Sequence, residues 1–155
     1  MKARRVIAVA AASAIAAATA VIGADTASAA TQRTFCVDSS FTCANNFGVG
    51  NTVGMFSSQA SLWLFNGLNH PGQIQVWPPS PGLCMQLDHN AGNIIIVAAC
   101  NGASYQKWSP ELLNGNIVYR SQWDATQCLT YNQSRSILDT VTCNGAWYQN
   151  FPYTD

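Results

Sequence analysis

The segment from Cys84 to Trp108 recurs 43 or 44 residues later as Cys128 to Phe151. The first of these runs Cys84, then Cys100-Asn101-Gly102, then Tyr105-Gln106-Lys107-Trp108; the second runs Cys128, Cys143-Asn144-Gly145 and Tyr148-Gln149-Asn150-Phe151. A repeat of this period means one supersecondary unit copied, each copy unable to bury its apolar face alone, so the copies must share a core. A more divergent copy precedes them. Cys36-Val37-Asp38 aligns with the Cys84 strand start, Gly50-Asn51-Thr52-Val53 with Gly92-Asn93-Ile94-Ile95, and Ser61-Leu62-Trp63 with Gln106-Lys107-Trp108. Gly72-Gln73-Ile74-Gln75 matches Gly115-Asn116-Ile117-Val118 at the same interval. Three copies of about four short strands predict a pseudo-threefold barrel capped by hairpins.

Within the copies, strand signals dominate. Leu83 to Leu87, Ile94 to Val97, Asn116 to Tyr119, Cys128 to Tyr131 and Ile137 to Thr142 are short apolar or alternating runs. They are bounded by Asn90-Ala91-Gly92, Asn101-Gly102, Asn114-Gly115 and Asn144-Gly145, chemistry that supplies positive φ at tight turns. After residue 30, no window of eleven or more residues keeps a 3.6-residue apolar stripe, so an all-β domain is expected.

Residues 1–29 read as a secretory signal peptide and 30–155 as the domain. Lys2, Arg4 and Arg5 give a basic start, Val6 to Ile22 is rich in Ala, Val and Ile, and Ala27-Ser28-Ala29 is a small-residue cleavage site. A membrane anchor is the alternative for a stretch of this length, but the alanine content and the Ala-x-Ala ending favour cleavage and release. The expected location is extracellular. The remaining chain of about 125 residues is one domain's worth.

That domain carries few charges: Arg33, Lys107, Arg120 and Arg135 against Asp38, Asp88, Glu111, Asp124, Asp139 and Asp155. Scattered signs near neutrality argue against nucleic acid or an anionic membrane as partner. All six cysteines lie after the leader, and an even count in an oxidising compartment reads as three disulfides. If the copies fold alike, Cys84–Cys100 and Cys128–Cys143 are equivalent bonds, which leaves Cys36 with Cys43. No Cys-x2-Cys spacing exists, so neither a metal nor a cofactor is expected.

The order Cys, Gly-Asn with an apolar run, Cys-Asn-Gly, Gln-x-Trp and a following Gly-x-Ile strand resembles the ricin B-type β-trefoil lectins over residues 36 to 151. The resemblance implies a disulfide-stabilised β-trefoil with a pseudo-threefold repeat of about 43 residues. It also implies that Trp63, Trp108 and Phe151 pack in the shared core while Gln106 and Gln149 brace loops. The chain departs from the pattern at Phe151 and Ser61, lacks a cysteine near Ser58, and ends before a last strand. Residues Thr31 to Thr34 are expected to close the barrel instead.

A sugar site needs an aromatic face for the C–H side of a pyranose and a fixed carboxylate or amide for adjacent hydroxyls. The resemblance implies that the carboxylate lies two residues after the repeat's first cysteine and the ring two residues before its second. The first copy offers Asp38 and Phe56, with Asn51 or Gln59 in the supporting amide role. Gln86 and Thr130 replace the carboxylate in the other copies, and Ala98 and Val141 replace the ring, so one site is expected. Asp38 as a turn cap and Phe56 as plain core are the plainer alternatives. Trp77 and Trp123 could be secondary platforms or ordinary half-buried residues.

The expected function is therefore non-catalytic binding of a glycan or polysaccharide. His70 and His89 both read as turn residues without an activating partner, so an enzyme is not expected. The alternative is a protease inhibitor or other protein-binding or structural module, because the prolines of Trp77-Pro78-Pro79-Ser80-Pro81-Gly82 restrict φ and lower the entropy cost of docking.

Overall fold

Short β-branched and aromatic runs between Asn/Gly turns give eleven strands in one curled sheet, with no α-helix among the described residues. The computed structural model describes residues 31–37, 41–58, 60–65, 71–77 and 82–152 of the 155. The leader read over residues 1–29 lies outside them. The strands are β1 (Thr31–Thr34), β2 (Cys43–Asn45), β3 (Gly54–Phe56), β4 (Leu62–Phe65), β5 (Ile74–Val76) and β6 (Leu83–Asp88). They continue with β7 (Ile94–Ala99), β8 (Trp108–Leu113), β9 (Asn116–Ser121), β10 (Gln127–Asn132) and β11 (Ile137–Thr142).

Adjacent strands pair antiparallel, in the order β1-β4-β5-β6-β7-β11-β10-β9-β8, with β2 and β3 attached through β11. Asn114 and Gly115, both at positive φ (53° and 83°), make the tight turn between β8 and β9, and this backbone matches the right-handed twist of the strands it joins. Pro110 is accommodated because β8 ends the order, where a missing donor is tolerated.

The hairpins β2–β3, β6–β7 and β10–β11 each contact the other two. Thr52 bridges Ile96, Ile94 bridges Asp139, and Ile137 bridges Gly54. Three hydrogen bonds at matching points of the repeat tie them in a ring: Val97 N to Asn51 O at 3.0 Å, Thr140 N to Asn93 O at 2.9 Å and Met55 N to Ser136 O at 2.8 Å. Val53, Ile95 and Leu138 are fully buried beside these bonds.

Apolar side chains of all three copies form one core, which includes Trp63, Trp108 and Phe151. Trp63 Nε1 donates to Ala44 O at 3.1 Å, whereas Trp108 Nε1 is buried with no partner among the described residues. Phe35 stacks on Phe151, with centroids 4.6 Å apart and planes 11° apart, which joins the start of the domain to its end. β1 pairs antiparallel with β4. Phe151 N itself donates to Ile117 O on β9 at 2.8 Å.

The buried glutamines sit where the chain turns out of each later hairpin. Gln106 Oε1 accepts from Asn101 N at 2.8 Å, and its Nε2 donates to Ala99 O at 2.8 Å and Gln86 Oε1 at 2.9 Å. Gln149 repeats this with Asn144 N at 2.9 Å, Thr142 O and Thr130 Oγ1, the last two both at 3.1 Å. In the first copy Ser61 is too short for this pattern, and its Oγ accepts from Asn46 N at 2.9 Å. All three disulfides, Cys36–Cys43, Cys84–Cys100 and Cys128–Cys143, are formed.

Candidate functional site

Cross-strand register places the first repeat's site residues differently from a sequence alignment through Cys36. Cys84 faces Ala98 and Cys128 faces Val141, and in the first hairpin it is Cys43 that faces Phe56. Two residues further on, Asn45 faces Gly54 as Gln86 faces Ile96 and Thr130 faces Asp139. Asn45 is buried, with its Nδ2 donating to Cys43 O at 2.9 Å. Cys36, which sequence order matches to Cys84, is instead the disulfide partner of Cys43, with Cα atoms 3.9 Å apart. Asp38 and Gln59 are outside the described residues. In sequence Asp38 lies between the two cysteines of this disulfide.

Phe56 ends β3 with 41% of its surface exposed, and Phe47 is 52% exposed beside it. The rings meet edge to face at 5.8 Å and 79°. Both rest where Gly54 has no side chain: a Cβ there would come within 2.4 Å of Phe56 Cε2 and 2.7 Å of Phe47 Cε2. Asn51 is engaged in the adjoining turn, donating from Nδ2 to Phe47 O at 2.7 Å. The turn is braced again by Gly48 N donating to Asn46 Oδ1 at 2.8 Å. An exposed aromatic pair on a fixed backbone results.

The third hairpin carries a group that the repeat pattern does not mark. A cleft of about 400 Å³ is lined there by Thr130, Asn132, Ser134, Asp139, Val141 and Tyr148, among others. Asp139 is buried, its Oδ2 accepting from Asn132 Nδ2 at 2.6 Å while Oδ1 has no partner among the described residues. Burial raises its pKa, against the lowering effects of the Asn132 hydrogen bond and the Arg135 charge. The sequence signal was a lone carboxylate amid the apolar-rich run Ile137 to Thr142, which by itself cannot say which face is inside.

The folded Asp139 keeps its proton above the ordinary carboxylate value of 3.8. In that window the folded state binds more protons than the unfolded state, so stability falls as pH rises through it. Asp139→Asn keeps an acceptor for Asn132 and removes the charge. It is expected to flatten this part of the stability profile and to be at least as stable as wild type at neutral pH. Urea unfolding across an acid-to-neutral series measures both, and an unchanged slope would remove Asp139 as the cause.

The remaining tryptophans outside the core are partly exposed: Trp77 at 39%, Trp123 at 52% and Trp147 at 44%. His89 is exposed on a short turn, and His70 and residues 78–81 lie outside the described residues. Among the described residues no helix is long and apolar enough to cross a membrane.

No protein-family model matches the chain, and no curated protein matches it in sequence. Solved structures do match it in fold. A GlcNAcα1-4Gal-releasing endo-β-galactosidase from Clostridium perfringens is 9% identical with a TM-score of 0.66, over 78% of this chain and 31% of that one. A mosquitocidal holotoxin is 16% identical with a TM-score of 0.60, over 77% of this chain and 16% of that one. The cytolethal distending toxin of Haemophilus ducreyi is 17% identical with a TM-score of 0.56, over 79% and 84%. The chain thus spans under a third of the first two proteins, and at these identities the likeness is one of fold.

Proposed function

We propose that this chain is a secreted, non-catalytic carbohydrate-binding module of β-trefoil architecture, with its sugar site on the first hairpin. The observation that carries the reading is the exposed Phe47–Phe56 pair seated on Gly54 beside the Cys36–Cys43 loop. Phe56 supplies the ring face and Asp38 the carboxylate. Two residues of chain span at most about 7 Å, so Asp38 stays close to Cys36 and hence to Cys43, the cross-strand partner of Phe56. The trefoil reading is supported by the three repeat-related hydrogen bonds that link the hairpins. The three disulfides favour an oxidising, extracellular setting. A fold neighbour that releases a GlcNAc-galactose unit adds support for a glycan partner.

Asp38→Ala removes charge-assisted hydrogen bonds worth about 1.5–3 kcal/mol, and Phe56→Ala removes the platform, so each is expected to weaken glycan binding by about tenfold or more. Gly54→Ala is expected to do the same indirectly, by displacing both rings. Glycan arrays and pull-downs on insoluble galactan, xylan and arabinan provide the measurement. Binding that survives Asp38→Ala in a folded protein would place the sugar elsewhere. A second reading, docking of a protein on Trp77 and the proline run after it, rests on the exposure of Trp77; it gains if every glycan is silent.

A further inference from the structure

Three rings from separate segments meet on the outer face of the second hairpin. Trp123, in the loop between β9 and β10, is 52% exposed. His89 lies nearly parallel to it, with centroids 5.3 Å apart and planes 21° apart. Tyr105 meets it edge-on at 6.3 Å and 63°. His89 and Tyr105 also line a cleft of about 230 Å³ with Gln86, Asp88 and Asn90.

Polar fastenings hold these exposed rings in place. Ser121 is buried, and its Oγ accepts from Trp123 N at 3.1 Å and Asp124 N at 3.3 Å. Asp124 Oδ1 in turn accepts from Thr126 N at 2.9 Å and Thr126 Oγ1 at 2.7 Å. On the facing side Asp88 Oδ1 accepts from Asn90 N at 3.1 Å and caps the turn His89–Ala91. Asn101 Nδ2 donates to the Tyr105 hydroxyl at 2.9 Å. A large apolar ring held out toward solvent by a fixed backbone has little conformational entropy left to lose on binding.

We propose that this face is a second carbohydrate-contact site, built jointly by the second repeat's hairpin and the loop between β9 and β10. A pyranose places its C–H face on the indole of Trp123 and its hydroxyls toward Asp88 and Asn90. Neither Trp123 nor Asp88 stands at a position where the lectin resemblance puts a sugar contact, and the site draws on three separate segments of the chain. The inference rests on the reading that the chain binds glycans and adds the ligand class. Two weak contacts on one rigid body favour a polysaccharide over a free monosaccharide, because the second contact forms at high effective concentration.

The test uses the full secreted chain, labelled with ¹⁵N, with the Trp123 indole N–H assigned by Trp123→Phe. Methyl β-galactoside, methyl β-xyloside and soluble galactan and xylan are titrated to their highest soluble concentrations. At least one saccharide should shift the Trp123 indole resonance. Trp123→Ala should lower retention on the matching insoluble polysaccharide by about tenfold, with an unchanged melting curve because the ring is exposed. Shifts confined to Phe47 and Phe56, or retention unaffected by Trp123→Ala, overturn this site and leave the first-hairpin reading standing. Silence of every resonance toward every saccharide overturns both.

Discussion

Trp108→Ala is expected to destabilise the domain by about 3–5 kcal/mol, the range for deleting a fully buried aromatic side chain from a close-packed core. Domains of this size are stable by about 5–15 kcal/mol, so the loss is a large fraction of the total. Urea unfolding followed by circular dichroism under non-reducing conditions measures it. The sharper comparison is between the two core indoles. Trp63→Phe discards the Nε1 hydrogen bond to Ala44 O, which then keeps only the longer bond from Ser61 N at 3.2 Å. Trp108→Phe discards a buried N–H that has no partner among the described residues, so part of its cavity cost is returned. Trp63→Phe should therefore be the costlier of the two. The reverse order would mean that Trp108 Nε1 is satisfied, for instance by a buried water.

Removing the Cys128–Cys143 bond by a double alanine substitution is expected to cost about 3 kcal/mol, the loop-entropy value for a separation of 15 residues. Cys84–Cys100, separated by 16, should behave alike. Cys36–Cys43 closes only 7 residues and should cost about 2 kcal/mol by the same relation. Its functional effect should run the other way. On the proposed sugar site that loop tethers Asp38 to the Phe56 platform, so glycan binding should fall most in the variant whose stability falls least. Melting curves and polysaccharide retention on the three double variants read both orders. Equal retention in all three would separate Asp38 from the sugar site.

Much of the architecture was legible in the chain because its signals are local. The strand runs at Leu83 to Leu87, Ile94 to Val97 and Ile137 to Thr142, and the turns at Asn114-Gly115 and its relatives, depend on side-chain alternation and on positive φ, both written in a few adjacent residues. The repeat then carried the disulfide pairing, since equivalent cysteines in equivalent copies need no long-range geometry beyond the symmetry of the copies.

Three matters were settled only by tertiary contact. The sequence aligns Cys36 with Cys84, and only the cross-strand register, which sets Cys43 opposite Phe56 as Cys84 is set opposite Ala98, moves that place to Cys43. The carboxyl of Asp139 becomes an inside group with an unpartnered oxygen because β11 packs between β10 and β7, a placement its alternating neighbours do not specify. His89, Tyr105 and Trp123 come from segments 16 to 34 residues apart in the chain and form one aromatic face where those segments pack together. The sequence by itself determined the strands, the turns and the pairing of cysteines, which follow from local propensity and repetition. The register of the first hairpin, the burial of Asp139 and the meeting of the exposed rings depend on which strands lie side by side, a long-range outcome that no short window of residues encodes.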